Sequence, residues 1–455
     1  MTNIILNTDS YKYSMPNQYP KNTSYVYSYI ESRGSFWNSA VFFGLQGFIK
    51  EYLIGQQVTK DKIDEAESFI VDHGLPFYRE GWEYILNNHN GVLPVRIKAV
   101  PEGSVIPNKN VLVTIENTDL KCWWLTTHLE TSLLRAVWYP TTVCTNSYEA
   151  KKIILKYLIK NGDENTIDYK LHDFGARGVS SYESSEIGGS AHLVNFKGTD
   201  TISALRYLRK NYNERIAGHS IPAMEHSTVT SWTRQNELNA YDNMLNNYAS
   251  PNSILACVSD SYDIYNACKM WGTELKDKVI NSGAKVVIRP DSGFPPEVVM
   301  RCVHILDEHF GHTLNSKGYK VLNHVSVIQG DGIDHEIIHQ ILNRLDESGF
   351  SSDNIAFGWG GGLLQVLNRD TMKFALKCSA ICVDGKWRDV YKEPITDFGK
   401  KSKKGRVTLY KNGDSYISDI EGSRNDLEVA LNTVFENGVL CKEYSLEEIR
   451  QRASI

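Results

Sequence analysis

The sequence is short of several things, and each shortage removes a class of function. No apolar run among the 455 residues approaches the roughly 18 to 20 needed to cross a bilayer, so no membrane segment is expected. The opening MTNIILNTDSYKYS lacks a charged segment followed by an apolar stretch of signal-peptide length, and a cytoplasmic protein is expected. Positive charge is not in excess: 49 Lys and Arg against 54 Asp and Glu leave a formal net charge of -5. A nucleic-acid surface would therefore have to be local, and small-molecule chemistry is the better expectation. Cysteine is scarce and scattered. Cys122, Cys144, Cys257, Cys268, Cys302, Cys378, Cys382 and Cys441 form no C-x-x-C pair, which reads as buried reduced thiols rather than a disulfide or metal framework.

With 41% hydrophobic residues the chain can bury a large core, and its length favours two or three domains. From about residue 169 short apolar runs alternate with helix-like stretches. The runs KLHDF (170–174), LVNF (193–196), IPAM (221–224), ILACV (254–258), KVVIR (285–289), VSVIQ (325–329), IAFG (355–358) and LKCSAICV (376–383) read as parallel strands covered on both faces. Their spacing of roughly 20 to 40 residues leaves room for a crossover helix each time. A (β/α)8-like barrel over residues 141–394 is expected, with an open doubly wound sheet as the alternative. Residues 1–140, rich in aromatics, and the tail 395–455 read together as a mixed α/β domain, giving an α/β protein overall.

Chemistry collects where these runs end. VSVIQ runs into Gly330-Asp331-Gly332, and IAFG into Trp359-Gly360-Gly361-Gly362, each followed by a helix-like stretch. Glycine lets backbone approach a phosphate, and a helix N-terminus favours an anion. Either loop alone could be a tight turn; two together, late in a barrel, favour a phosphate site. KVVIR delivers Arg289 and Asp291, two residues apart and so on one side of an extended chain. The pair suits phosphate and ribose, or it is a structural ion pair. The run His172-Asp173-Phe174-Gly175-Ala176-Arg177 sets an aromatic beside a cation, as a flat ring next to an anion would need. Glu225-His226 follows IPAM, so His226 should sit at the barrel mouth, where it could shuttle protons, bind a metal or carry a phosphoryl group. Asp260 and Asp263, in SDSYD, offer a carboxylate to orient its ring or hold magnesium.

Two other patterns carry less. His335-Glu336-Ile337-Ile338-His339 matches the zinc protease motif H-E-x-x-H, yet Ile333, Ile337, Ile338, Ile341 and Leu342 mark the buried side of that helix and should leave both histidines outside. No third ligand follows. The run Lys400-Lys401-Ser402-Lys403-Lys404-Gly405-Arg406 reads as a solvated loop or a polyphosphate contact more readily than as a nucleic-acid patch.

The ordered motifs NTDSYK, LHDFGARG, AHLVNFKGTD, PAMEHST, VSDSYDIYNAC, IRPDSG, VIQGDG, FGWGGGLLQ, LNRD and KKGR resemble those of the nicotinamide phosphoribosyltransferases, from about residue 5 to about residue 450. The resemblance implies a type II phosphoribosyltransferase fold and a head-to-tail homodimer with shared sites. It also implies nicotinamide, phosphoribosyl pyrophosphate and ATP as partners, with Mg2+ as cofactor. By motif, Phe174 and Tyr11 resemble the residues that sandwich the base, and Asp200 the acceptor for its carboxamide. Arg177 and Arg289 resemble pyrophosphate ligands, and Asp291 and Asp331 ribose contacts. Gly330, Gly360, Gly361, Arg369 and Lys377 would hold the 5'-phosphate, with Lys392 and Lys400 as phosphate contacts from the partner chain. His226 resembles the histidine that ATP phosphorylates, with Glu225 and Asp263 as neighbours. Relatives often carry serine at Ala375 and Trp359 and arginine at Ser326, and the chain is short between SRGSFW and VFFGLQ, as in a bacterial or phage type. The rival expectations are a nicotinate phosphoribosyltransferase, separated by Asp200, and a non-catalytic signalling protein of the same fold.

Overall fold

The computed structural model describes residues 3–34, 36–396 and 401–455. They fall into two compact units, residues 1–145, 210–214 and 367–454 in the first and residues 146–209, 215–366 and 455 in the second.

The first unit is built on a seven-stranded sheet in the order Lys386–Asp389, Phe374–Val383, Thr23–Ser32, Val111–Asn117, Val95–Ala99, Asn432–Glu436, Val439–Leu440. Every pairing in it is antiparallel. Its core gathers Tyr27, Tyr29, Ile30, Phe42, Trp82, Ile97, Leu112, Trp124 and Phe435, and each fully buried aliphatic or aromatic residue of this kind contributes about 1.5–3 kcal/mol. The run LKCSAICV belongs to this sheet, where Phe374–Val383 pairs with Thr23–Ser32, and not to the barrel expected from sequence. The chain accordingly leaves the second unit after Val366 rather than at residue 394. The misreading has a physical cause: the strand is buried on both faces for most of its ten residues, so its apolarity is as continuous as that of a parallel strand.

The second unit holds a six-stranded parallel sheet in the order Gly198–Thr199, Leu171–Asp173, Ile355–Trp359, Val325–Gln329, Lys285–Arg289, Ile254–Val258. The segment 219–224 links its two edges through parallel bridges Gly198–His219 and Ala223–Ala256. Hydrogen bonds donated by Thr199 N to His219 O (3.1 Å) and by Met224 N to Ala256 O (2.9 Å) close the ring. The barrel is thus made of six strands and one irregular segment. The expected strand LVNF is instead the turn after helix Tyr182–His192, with Phe196 N bonded to His192 O. The strand itself is the pair Gly198–Thr199, too short to leave an apolar signature. Ala256, Val287 and Ile328 fill the barrel interior, with Phe174, Ile221 and Ala356 packed against them. Outside lie helices such as Pro295–Phe310, whose first residues are prolines and whose buried Val299, Cys302, Val303, Leu306 and Phe310 recur at helical spacing.

Candidate active site

Because the barrel segments run parallel, their C-terminal ends form one rim, and the rim collects Phe174, Arg177, Asp200, Glu225, His226, Asp260, Arg289, Asp291, Gly330, Asp331, Gly360 and Gly361. All are in the second unit. The geometry there is specific.

Phe174 leaves the strand Leu171–Asp173 with its N–H bonded to Trp359 O at 3.0 Å, and its half-buried ring packs against glycine backbone. A Cβ at Gly358 would fall 2.0 Å from Phe174 Cε2, and one at Gly330 would fall 3.4 Å from the same atom and 3.3 Å from Asp291 Oδ1. Glycine at 358 is therefore what admits the ring. On the neighbouring strand end, Asp200 is exposed; its N–H bonds Asp173 O at 3.0 Å, and its Oδ1 accepts from Ser220 Oγ at 2.6 Å. Arg177 is exposed in the short helical turn Ala176–Gly178.

The other half of the rim is a charge network centred on Asp260, whose side chain is almost fully buried. His226 Nε2 donates to Asp260 Oδ1 at 3.0 Å, which leaves the lone pair of a neutral ring on Nδ1, 4.0 Å from Asp291 Oδ2. Asp260 Oδ2 accepts from Asp291 N (3.1 Å) and Ser292 Oγ (2.6 Å), so one carboxylate ties the histidine to the loop after Arg289. Burial holds the Asp291 carboxyl above its usual range; the charges of Asp260 and Asp331 add to this, and Arg289 and His226 oppose it. Arg289 Nη2 is 3.9 Å from Asp291 Oδ2, while its buried Nε makes no hydrogen bond among the described residues. A buried arginine edge that makes no hydrogen bond among the described residues fits an incoming anion, and the carboxylate oxygens of the network are the donor type a hard divalent cation takes.

Sequence reasoning named Asp263 and Glu225 beside His226. Asp263 caps helix Ile264–Gly272, its Oδ1 accepting from Tyr265 N and Asn266 N at 3.0 and 3.1 Å. Glu225 is the cap of helix His226–Thr230, where its N–H donates to Thr228 Oγ1 at 3.3 Å. The carboxylate on the ring is Asp260, two positions after the strand Ile254–Val258. Of the H-E-x-x-H pair, His335 bonds Asn146 O and His339 meets Tyr157 OH, both at 3.0 Å, and His335 is half-buried rather than outside. Trp359 is buried, edge-on to His335 at 5.1 Å, and a Cβ at Gly362 would lie 2.4 Å from its Nε1. Ser326 is buried and pairs with Val287 inside the barrel, short of the rim.

The remaining candidates are in the first unit. Tyr11 is 56% exposed, with Lys12 Nζ 4.9 Å from its ring centroid, and Lys12 is itself buried and paired with Glu130. Lys377 lies on strand Phe374–Val383; burial lowers its ammonium below the usual lysine range, Glu130 opposes this, and Arg33, Lys392 and Arg369 lower it further. Ala375 is buried opposite Glu31. Arg33 was not singled out from sequence, yet its Nε and Nη2 are buried without hydrogen bonds among the described residues, Nε lying 3.5 Å from Glu31 Oε1. Only the positive charge of SRGSFW could have flagged it. Four cations sharing one neighbourhood repel one another, Glu130 and Glu31 offset part of that charge, and a polyanion would offset the rest. Lys400 lies outside the described residues.

The sequence profile of the nicotinate phosphoribosyltransferase (NAPRTase) family matches residues 169–439, and that of the N-terminal domain of nicotinamide phosphoribosyltransferase matches residues 3–97. The chain is 53% identical over 462 aligned positions to the nicotinamide phosphoribosyltransferase of Xanthomonas campestris pv. campestris, covering 100% of this chain and 98% of that one. It is 34% identical to the nicotinamide phosphoribosyltransferase of Acinetobacter baylyi, covering 98% and 95%. Among solved structures, the nicotinate-nucleotide pyrophosphorylase of Pyrococcus furiosus aligns with a TM-score of 0.64 at 15% identity over 99% of this chain and 95% of that one. Human nicotinic acid phosphoribosyltransferase aligns at 0.61 and 14% over 98% and 92%. At such identities these two structures show the fold.

Proposed function

The chain belongs to the nicotinamide phosphoribosyltransferase family, and from that premise we propose that it transfers the phosphoribosyl group of phosphoribosyl pyrophosphate to nicotinamide, giving nicotinamide mononucleotide and pyrophosphate in NAD salvage. The observation that carries the reading is the placement of the Phe174 ring and the Asp200 carboxylate on adjacent strand ends, joined through Asp173 O. A pyridine ring stacks on the phenyl face, and its carboxamide N–H donates to a carboxylate that can only accept. Nicotinate would bring a second negative charge to Asp200. At about 4 Å that repulsion costs about 1 kcal/mol in bulk water and about 4 kcal/mol at the effective dielectric of a protein surface, a preference of about fivefold to a thousandfold.

The chemistry needs little covalent help from the protein. The pyridine nitrogen attacks C1 of the ribose as the bond to pyrophosphate breaks, and C1 gains positive character on the way. Arg289 and Arg177 offer charge to the departing pyrophosphate, Asp291 and Asp331 accept from ribose hydroxyls, and the glycines at 330, 360 and 361 let backbone approach phosphate. Mg2+, which Asp260, Asp291 and Asp331 are suited to hold, would neutralise charge on the pyrophosphate when bound. Positioning supplies most of the acceleration. His226, with Nδ1 unblocked, is the phosphoryl acceptor from ATP, and the exposed Tyr11 and the cation cluster around Lys377 serve a homodimer with shared sites.

Asp200→Ser tests the base assignment. In an assay of mononucleotide formation the variant should lose at least about fivefold of its preference for nicotinamide over nicotinate, in line with the repulsion above. A preference as strict as that of the unaltered protein would remove Asp200 from base recognition.

A further inference from the structure

We propose that Asp173 is the positioning residue of the base subsite, holding the turn that carries Phe174 and the main chain that carries Asp200 from a single point. The inference rests on the reading of that subsite given above.

Asp173 ends the strand Leu171–Asp173 and is paired on both sides, with Trp359 on one neighbour and Thr199 on the other. Its carboxyl is wholly buried. Oδ1 accepts from Gly175 N at 2.7 Å, closing the turn immediately beyond Phe174. Its carbonyl accepts from Asp200 N at 3.0 Å, while Phe174 N is fixed to Trp359 O at 3.0 Å. The two groups assigned to the base are thus each one hydrogen bond from Asp173 or from its strand partner. Glycine backbone packs close to both carboxyl oxygens. A Cβ at Gly175 would stand 3.0 Å from Oδ1 and 2.7 Å from Leu364, and one at Gly189, on the covering helix, would stand 3.0 Å from Oδ2. Oδ2 is buried and receives no hydrogen bond among the described residues.

A buried carboxyl with one oxygen unpaired is costly, and an apolar residue would serve a purely structural core better. Burial pushes this carboxyl up to about 6; the neighbouring Thr201 side chain and the Gly175 N–H oppose the effect, and the charge of Asp200 adds to it. Its retention fits a task that only an acceptor at this point performs, which is to fix the Gly175 N–H and with it the angle of the Phe174 ring. A ring held at one angle gives its stacking energy to the base without first losing rotational freedom.

The test is steady-state kinetics with each substrate varied in turn, on the full-length protein and on Asp173→Ala, Asp173→Asn and Gly189→Ala. The alanine variant should raise KM for nicotinamide by about tenfold or more while KM for phosphoribosyl pyrophosphate stays within about twofold. Asparagine keeps an acceptor for Gly175 N and should bring KM for nicotinamide back to within about threefold of the unaltered protein. Gly189→Ala, whose added Cβ would stand 3.0 Å from Oδ2 as well as 2.8 Å from Ala204 Cβ and 3.0 Å from Thr201 Cγ2, crowds Oδ2 without removing it and should raise the same KM alone, which keeps the test open if the alanine variant does not fold. Equal loss toward both substrates, an asparagine variant as poor as alanine, or an unchanged KM for nicotinamide in folded Asp173→Ala or Gly189→Ala would each overturn the assignment. Failure of the unaltered protein to use nicotinamide would instead overturn the functional reading on which it rests.

Discussion

Asp173 also has a consequence for stability. Its carboxyl is raised from 3.8 to about 6 by burial, so the folded protein binds a proton there that the unfolded chain releases. The stabilisation from that proton is complete below the unfolded value and is lost as pH rises through about 6. Asp173→Asn, which has no charge to bury, should therefore be more stable than the unaltered protein at pH 7.5, by at most about 3 kcal/mol for a shift of about two units. The advantage should shrink toward pH 4, and urea unfolding at the two pH values reads it directly; a constant difference would contradict the assignment. At this scale part of the candidate site was legible. Phe174, His226, Arg289 and Asp291 stand out because polar or aromatic residues at the ends of apolar runs have little reason to be there except chemistry, whereas Asp200 is marked only by the family resemblance. Asp173, Ser220 and Arg33 were not legible, because their importance lies in a hydrogen bond or in burial that spacing does not encode.

The elements explain the choice between two carboxylates in SDSYD. Strand Ile254–Val258 ends two residues before Asp260, which points back to the rim, and helix Ile264–Gly272 begins directly after Asp263, which turns to its own N–H groups. Sequence could place both near His226 but could not divide the labour, because the division depends on where strand stops and helix starts. Asp263→Ala should cost about 1 kcal/mol of stability with its ATP response kept, whereas Asp260→Asn should lose the ATP-dependent part of turnover. Thermal melts and turnover with and without ATP distinguish the two, and the reverse pattern would return Asp263 to the catalytic role. The same limit explains the strands. KVVIR and VSVIQ were legible as barrel strands, while LKCSAICV has the same apolar signature in an antiparallel sheet and Gly198–Thr199 has none.

At the scale of the molecule, both chain ends contribute to one unit, as Asn432–Glu436 pairing with Val95–Ala99 shows, and no described helix is long and apolar enough to cross a membrane. The proposed homodimer makes a quantitative prediction. If Tyr11 completes the site of a second copy, Tyr11→Ala and Asp291→Ala are each nearly inactive alone, yet co-expression should restore about a quarter of full activity, since half the dimers are mixed and each mixed dimer has one intact site. No recovery would mean that each chain completes its own site. The central claim is the identity of the base. Its most direct test is mononucleotide formation by the purified protein with phosphoribosyl pyrophosphate and Mg2+, offered nicotinamide and nicotinate in separate reactions. The account predicts nicotinamide mononucleotide and pyrophosphate in equal amounts and little product from nicotinate; preferential use of nicotinate would contradict it.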